Sequence, residues 1–415
     1  MSSPRKPLHL FEAYGVEMEY MIVKNDTLEI LPITDKVIYD VAGKFDSDVE
    51  LGDMAWSNEL VLHVIELKTN GPARTLTGLI EKFQAQVNHI NQLLQKYNAR
   101  LLGSGAHPFM DPYREMCLWP HEHNQIYEAY NKIFDCRGHG WANLQSTHLN
   151  LPFANDEEFG KLHAAIRILM PIIPALSASS PVLDNQVSGF SDTRLEVYKS
   201  NQKQIPSIAG KVIPERVFSK AEYEQKIFKR IYADIAPYDE DEILRDQFLN
   251  SRGAIARFDR GAIEIRIIDI QECPQADIAV LSAVIETLKA LVAERWVSVA
   301  EQQNWKEDDL AEILWKVVKD GQQAEINNPA YLKLCGYDKG DTCTAKELWQ
   351  HLYDTILTAS IPEESTRQAL AFILQNDTLS ARIVKALNGN PSPEKIKAVY
   401  EQLADCLKEG KQFLG

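Results

Sequence analysis

Cysteine is scarce and scattered in this 415-residue chain: Cys117, Cys136, Cys273, Cys335, Cys343 and Cys406 lie far apart, with no C-x-x-C pair. The opening MSSPRKPLHLF lacks the apolar stretch of a secretory signal. Together these absences predict a reduced, cytoplasmic protein. Long hydrophobic runs are missing too. The most apolar segment, residues 166–182, is broken by Arg167, Pro171, Pro174 and several serines, short of the ~20 apolar residues a membrane helix needs. Basic residues are the minority, and the net charge of −15 repels polyanions and anionic lipid, so neither nucleic acid nor a membrane is expected as a partner. No G-x-x-x-x-G-K-[ST] and no G-x-G-x-x-G occurs, which excludes the P-loop and Rossmann readings. A phosphorylated ligand would therefore have to be held by arginines and a divalent cation.

What is present is an ordinary folded composition, 45% hydrophobic and 25% charged, with 20 Gly, 19 Pro, no biased tract and no short internal repeat. At roughly 100–200 residues per domain, the length allows two or three domains, or one large one with an appendage.

YGVEMEYMIV, residues 14–23, reads as a strand whose period of two puts Glu17 and Glu19 on one face. ELVLHVIELKT, residues 59–69, predicts a second strand. Leu76, Leu79, Ile80, Phe83, Val87, Ile90, Leu94 and Tyr97 then recur at helical spacing, before a strand at ARLL and a turn at GSGAHP. A helix near residues 123–134 leads to WANLQSTHLNLPF, which aligns Ser146, His148 and Asn150 on one face of a third strand. Residues 156–175 are again helical in period. They run into PALSASSPVLDNQVSGFSDTR, a small-residue loop closed by Arg194, of the kind that carries binding groups. SRGAIARFDRGAIEIRIIDIQ reads as a hairpin turning at Asp259, Arg260 and Gly261. Ile263, Ile265 and Ile267 face a core, and Glu264 and Arg266 face the other way. From about residue 278 the pattern is helical, with a capping box at Thr344 and Glu347 and a helix start at Ser392, Pro393 and Glu394.

One acidic strand means little, because a half-solvated strand is polar at every second position for solubility alone. Here Glu17 and Glu19, Glu59 and Glu66, His148, and Glu264 fall on separate strands in apolar surroundings. Carboxylates so gathered repel one another unless cations lie between them, and oxygen donors with one imidazole favour Mg²⁺ or Mn²⁺ over zinc or copper. Glu59 and Glu66, seven apart, face opposite sides of a regular strand. Both reach one site only through a bulge or a strand that starts after Glu59. Arg194, Arg257 and Arg266 supply guanidinium forks that match phosphate or carboxylate oxygens. His121, His123 and His139 read as loop or helix-cap residues.

GVEMEY, ELVLHVIELKT, GSGAHPF, STHLN, PALSASSPV with SGFSDTR, and RGAIEIRIIDIQ occur in the order of the carboxylate–amine ligases of the glutamate–cysteine ligase type 2 group, which residues 14–300 resemble. The resemblance implies a glutamine synthetase-like α+β fold: a curved, mainly antiparallel sheet with outer helices and the site in its concave face. It divides the chain into a catalytic domain at 1–300 and a helical C-terminal region at 301–415. It implies Glu17, Glu19, Glu59, Glu66, His148 and Glu264 as metal ligands, Arg266 as an electrophilic clamp beside Glu264, and Arg194, Arg257 and Arg266 as contacts to ATP or a substrate carboxylate. Asn150 stands where many members carry a second histidine, and Ser179 where they carry asparagine. The implied reaction activates a carboxylate, with glutamate the leading acid, as an acyl phosphate at the expense of ATP, and captures it with cysteine or another amine. A metal-dependent hydrolase would use the same carboxylates without ATP. A non-catalytic relative would bind metal and nucleotide without turnover. The sequence leaves the oligomeric state open.

Overall fold

The computed structural model describes residues 6–389 and 391–415. Eight strands build its main sheet: β1 (Gly15–Lys24), β2 (Asp48–Leu51), β3 (Met54–Asn58), β4 (Val64–Thr69), β5 (Ala99–Leu102), β6 (Ser146–Pro152), β7 (Ala254–Arg257) and β8 (Ala262–Asp269). Their order is β2-β3-β4-β1-β6-β8-β7, with β5 pairing the far half of β1, and every pairing is antiparallel. The helices that bear on the site are α1 (Leu79–Leu94), α2 (Asn124–Phe134), α3 (Asp156–Leu169), α4 (Thr193–Tyr198), α5 (Pro274–Val292), α6 (Leu379–Leu387) and α7 (Pro393–Glu409).

Alternation along the strands separates two faces. Val16, Met18 and Tyr20 of β1, Ile65 and Leu67 of β4, Leu149 and Leu151 of β6, and Ile263 and Ile265 of β8 are buried in one apolar cluster. Phe83, Val87 and Ile90 of α1 and most of α5 belong to that cluster, so these helices cover the apolar face. Residues beyond 300 pack into it through Leu310, Leu314, Val317 and Trp349. A second cluster ties α6 and α7 to Met21 and Val23 at the far end of β1 and to Leu102 of β5.

Several local expectations change in the structure. Residues 59–63 precede β4 instead of opening it, and the strand begins at Val64, which removes the parity conflict between Glu59 and Glu66. The β2–β3 hairpin was not anticipated. The helical period of residues 156–175 stops at Leu169, because Pro171 and Pro174 lack the N–H that would continue the helix. The carbonyls of Ile168 and Ile172 at that break accept from Tyr331 Oη (2.8 Å) and Trp349 Nε1 (2.7 Å), which fastens the later helices to the first part of the chain. Arg194 lies in the first turn of α4, where the Asp192 side chain accepts from the Leu195 N–H. The Thr344–Glu347 capping box and the Ser392 cap followed by Pro393 form as predicted. Among the described residues, no helix is long and apolar enough to cross a membrane.

Candidate functional site

The polar face of the sheet floors a cavity of about 820 Å³. Register decides which side chains meet there. Across β4, β1 and β6, Lys68 lies opposite Glu17 and Glu17 opposite His148; one step along, Glu66 lies opposite Glu19. Glu264 of β8 pairs with Asn150, and a bulge between Ile265 and Ile268 brings Arg266 toward the same centre. Ser57 of β3 stands opposite Glu66. Gly15 leaves the space that Asn150 uses, since a Cβ there would lie 2.9 Å from Asn150 Cβ.

The contacts are dense. His148 Nδ1 is 3.1 Å from Glu17 Oε2, and His148 Nε2 is 2.9 Å from Ser146 Oγ. Ser146 donates its N–H (2.7 Å) and hydroxyl (3.0 Å) to Glu19. Asn150 Nδ2 donates to Glu17 (3.0 Å), so Asn150 holds that carboxylate in place. Glu66 accepts from Ser57 Oγ at 2.6 Å and lies 3.4 Å from Lys68 Nζ, which also pairs with Asp48 at 2.7 Å.

These neighbours set the charges. Burial would raise the Glu17 carboxyl, but the hydrogen bond and charge of His148, with Lys68 and Arg266, bring it down to about 2. Burial and the charge of Glu17 push Glu66 up to about 7, against Lys68, Ser57 and His148. Glu59 is held well above the ordinary range by burial and by Glu19 and Glu66. His148 is raised: burial and Arg266 oppose its charge, and Glu17, Glu19 and Glu264 outweigh them.

One donor atom each from Glu17, Glu66 and His148 lie within 4.8 Å of one another, and the same holds for Glu19, Glu59 and Glu66. The two trios share Glu66. Four carboxylates and one imidazole form a hard, oxygen-rich donor set that fits a pair of Mg²⁺ or Mn²⁺ ions, and crowded carboxylates with raised pKa values are what such cations relieve.

Glu264 falls outside both trios. Its carboxylate receives Arg266 Nη1 at 2.6 Å, with Arg257 Nη1 at 3.6 Å and His148 Nδ1 at 3.8 Å, so it joins the acidic centre to the arginines. Arg194 lines the cavity but is engaged from behind. Its Nε bonds Asp269, and both terminal nitrogens donate to the Arg266 carbonyl at 3.3 Å. Asp269 also accepts from Ser179 N (2.9 Å) and Ser180 Oγ (2.8 Å), which gives the small-residue loop its task. Gly105 packs so closely that a Cβ would come within 2.6 Å of the Asp269 carboxylate, the reason for the second glycine of GSGAHPF.

Lys68, Ser57 and the cavity's roof of Tyr127, Tyr130, Trp141 and Phe248 were not singled out from sequence. Lys68 was within reach, because it lies two residues from Glu66 and therefore on its face. Ser57 required the unrecognised β3, and the roof comes from segments joined only in three dimensions. His121 bonds Asp35 (3.0 Å) and His139 bonds Asp184 (3.0 Å), both structural contacts, whereas His123 precedes α2 and lines the cavity.

A sequence model of glutamate-cysteine ligase family 2 matches residues 13–349. The chain belongs to this family. An uncharacterised Archaeoglobus fulgidus protein is 36% identical over 285 residues, 69% of this chain and 76% of that one. A Francisella tularensis glutamate–cysteine ligase solved in complex with AMP superposes with a TM-score of 0.63 at 14% identity, covering 95% of this chain and 88% of its own. A bifunctional glutathione synthetase from Pasteurella multocida gives a TM-score of 0.60 at 12% identity, covering 96% of this chain and 53% of that longer one. At such identities the likeness speaks for the fold, and the fold is the curved antiparallel sheet with outer helices that the family resemblance implied.

Proposed function

We propose that the protein is an ATP-dependent carboxylate–amine ligase that activates the side-chain carboxylate of glutamate, or of a related acid, and joins it to an amine, cysteine being the acceptor named in the family. The observation that carries this reading is the pair of acidic trios sharing Glu66, set beside the Glu264–Arg266 pair on the floor of one cavity. That the Francisella relative was solved with AMP supports a nucleotide as one ligand.

Glu17, Glu19, Glu59, Glu66 and His148 would hold the cations, which when bound neutralise the polyphosphate. Arg266, held by Glu264 and by the Arg194 contact to its carbonyl, offers a fixed guanidinium to the transferred phosphoryl group. Its placement before substrate arrives spares the cost of reorganising it during reaction. A carboxylate oxygen of the acid bonds to the γ-phosphorus as the bond to the bridging oxygen breaks, and ADP leaves. The amine nitrogen then bonds to the acyl carbon, the carbon–oxygen bond to phosphate breaks, and hydrogen phosphate departs with the amine's proton. The chain's main work is orientation and charge neutralisation, because a carboxylate approaching a polyphosphate is repelled until cations offset it.

The test is hydroxamate trapping: protein, Mg²⁺, ATP and a panel of amino acids, with hydroxylamine as acceptor and ADP measured in parallel. One acid giving hydroxamate and ADP in equal amounts supports the reading and names the donor. A two-metal hydrolase needs no nucleotide, so turnover without ADP would replace the ligase by that alternative.

A further inference from the structure

The row of β6 side chains that alternates with His148 and Asn150 reads Thr147, Leu149, Leu151, and all three are fully buried. Leu149 and Leu151 join the apolar cluster beneath the helices. Valine would have the same shape as Thr147 without a hydroxyl to satisfy, so a threonine there calls for a partner. Its Oγ1 donates to Asp277 Oδ1 at 2.6 Å. Asp277, in the first turn of α5, is the one ionisable side chain among the buried residues of that helix. The helix's other buried hydroxyls, on Ser282 and Thr287, bond carbonyls of α5 itself, those of Ile278 (2.7 Å) and Ala283 (2.8 Å). Asp277 bonds outside it. Burial holds its carboxyl well above the ordinary range, against the bonds it accepts, which favours the neutral form.

What this carboxyl holds is the part of β6 on which the acidic centre depends. Thr147 lies between Ser146, whose N–H and hydroxyl bind Glu19, and His148, which contacts Ser146 and Glu17. On the other side of β6, Leu149 pairs with Ile265 and Thr147 with Ile268, so Thr147 stands where the ladder resumes after the bulge in β8. Asp277 Oδ1 also accepts the N–H of Gln271 (3.1 Å), which follows β8. Gln271 is itself fixed: its Nε2 donates to the carbonyls of Ser177 (2.7 Å) and Asp269 (2.8 Å), and a Cβ at Gly103 would come within 2.6 Å of its own carbonyl oxygen. One oxygen atom thus ties β6 to a tightly packed segment at the point where the bulge interrupts the pairing.

We infer that Asp277 is a positioning residue for the acidic centre: by fixing Thr147 it keeps Ser146 and His148 in reach of Glu19 and Glu17, and so sets the cavity's affinity for a divalent cation. This rests on the reading of the two trios as cation ligands and adds to them a residue from the helix that covers the apolar face. Removing a group that orients metal ligands typically costs about 10–100-fold in metal affinity.

The experiment titrates MnCl2 alone into the full chain by calorimetry, at a temperature where circular dichroism shows every variant folded. Asp277→Leu, close in size but without an acceptor, should weaken Mn²⁺ binding about 10–100-fold, and Asp277→Asn, which keeps an acceptor oxygen, should bind as the wild type does. Thr147→Val tests the same bond should Asp277→Leu fail to fold; it should weaken binding about tenfold, and Thr147→Ser should restore it. Ser282→Ala, a change elsewhere on α5, should leave the affinity as it is. Wild-type affinity in both Asp277→Leu and Thr147→Val overturns the inference. So does an equal loss in Asp277→Asn, where the bond is kept, or in Ser282→Ala, where loosening of the helix alone would be the cause. A wild-type protein that binds no Mn²⁺ overturns the cation reading of the trios first, and this inference with it.

Discussion

Arg194 separates two accounts of the site, and a double-mutant cycle with Asp269 decides between them. The family resemblance makes Arg194 a contact to phosphate or substrate. The structure gives its Nε to Asp269 and its terminal nitrogens to the Arg266 carbonyl, with both charged side chains buried. Removing one member of a buried ion pair leaves an uncompensated charge, at a cost of about 3–5 kcal/mol. Asp269→Asn keeps the side-chain shape and its serine neighbours but strands Arg194; Arg194→Met strands Asp269. The double variant strands neither, so its cost should fall below the sum of the singles by about 2–3 kcal/mol. Urea unfolding of the four proteins measures that coupling. The kinetic arm is independent. If Arg194 acts by placing Arg266, both single variants lower kcat in the hydroxamate assay by about 10–100-fold, the scale set by misplacing a catalytic group by an ångström, and KM for ATP moves little. Additive stability costs would refute the positioning role. So would a KM for ATP that rises in Arg194→Met and stays unchanged in Asp269→Asn.

Other consequences can be checked with the same protein. Glu264→Gln removes the charge that holds Arg266 at 2.6 Å and should lower kcat about 100-fold or more while unfolding stays cooperative; near-normal turnover would sink the role given to that strand. Mn²⁺ or Mg²⁺ at about 100 times its Kd should stabilise the protein by about 2.7 kcal/mol, and Glu66→Gln, which removes the shared ligand of both trios, should abolish most of that gain in a thermal-shift titration. Retention of the full gain would show that the cation binds elsewhere. His163, packed against Phe159, Phe218 and Tyr223, is driven by burial from the ordinary 6.5 to about 3. Its native pKa lies below its unfolded one, so the unfolded chain takes the proton, and stability is lost as pH falls through that window. The loss between about pH 8 and about pH 5 is about 2 kcal/mol, and His163→Phe should flatten the urea-derived stability profile by that amount; an unchanged slope would contradict the assignment.

The residues that could be read from sequence are those whose neighbours are fixed by strand parity. Glu17 with Glu19, Ser146 with His148 and Asn150, and Glu264 with Arg266 each lie two apart, and a period of two needs no knowledge of the partner strand. Glu59 was ambiguous for the complementary reason: its distance from Glu66 carries meaning only once the start of β4 at Val64 is known. Lys68 obeyed the same rule as Glu66 and could have been read with it. The commitment of Arg194 to Asp269 was hidden, because those residues are 75 positions apart and nothing local marks an aspartate as a buried partner. The aromatic roof was hidden in the same way: Tyr127 and Tyr130 come from α2, Trp141 from the short helix after it, and Phe248 from a distant 3₁₀ turn at Gln247–Leu249.

The same strands pull in opposite energetic directions on their two faces. On the cavity face, Glu66 and Glu59 are held above their ordinary pKa values by burial and mutual repulsion, so without cations the site works against the fold. On the other face, Met18, Ile65, Leu67, Leu149, Ile263 and Ile265 are buried beneath α1 and α5, and each such side chain contributes about 1.5–3 kcal/mol on burial. A slip of one residue between β1 and β6 would drive Glu17 and Glu19 under the helices and turn Val16 and Met18 into the cavity. The apolar face therefore fixes the register, and the register brings the carboxylates together. The placement of the cavity's donors thus follows from packing on the opposite face of the sheet.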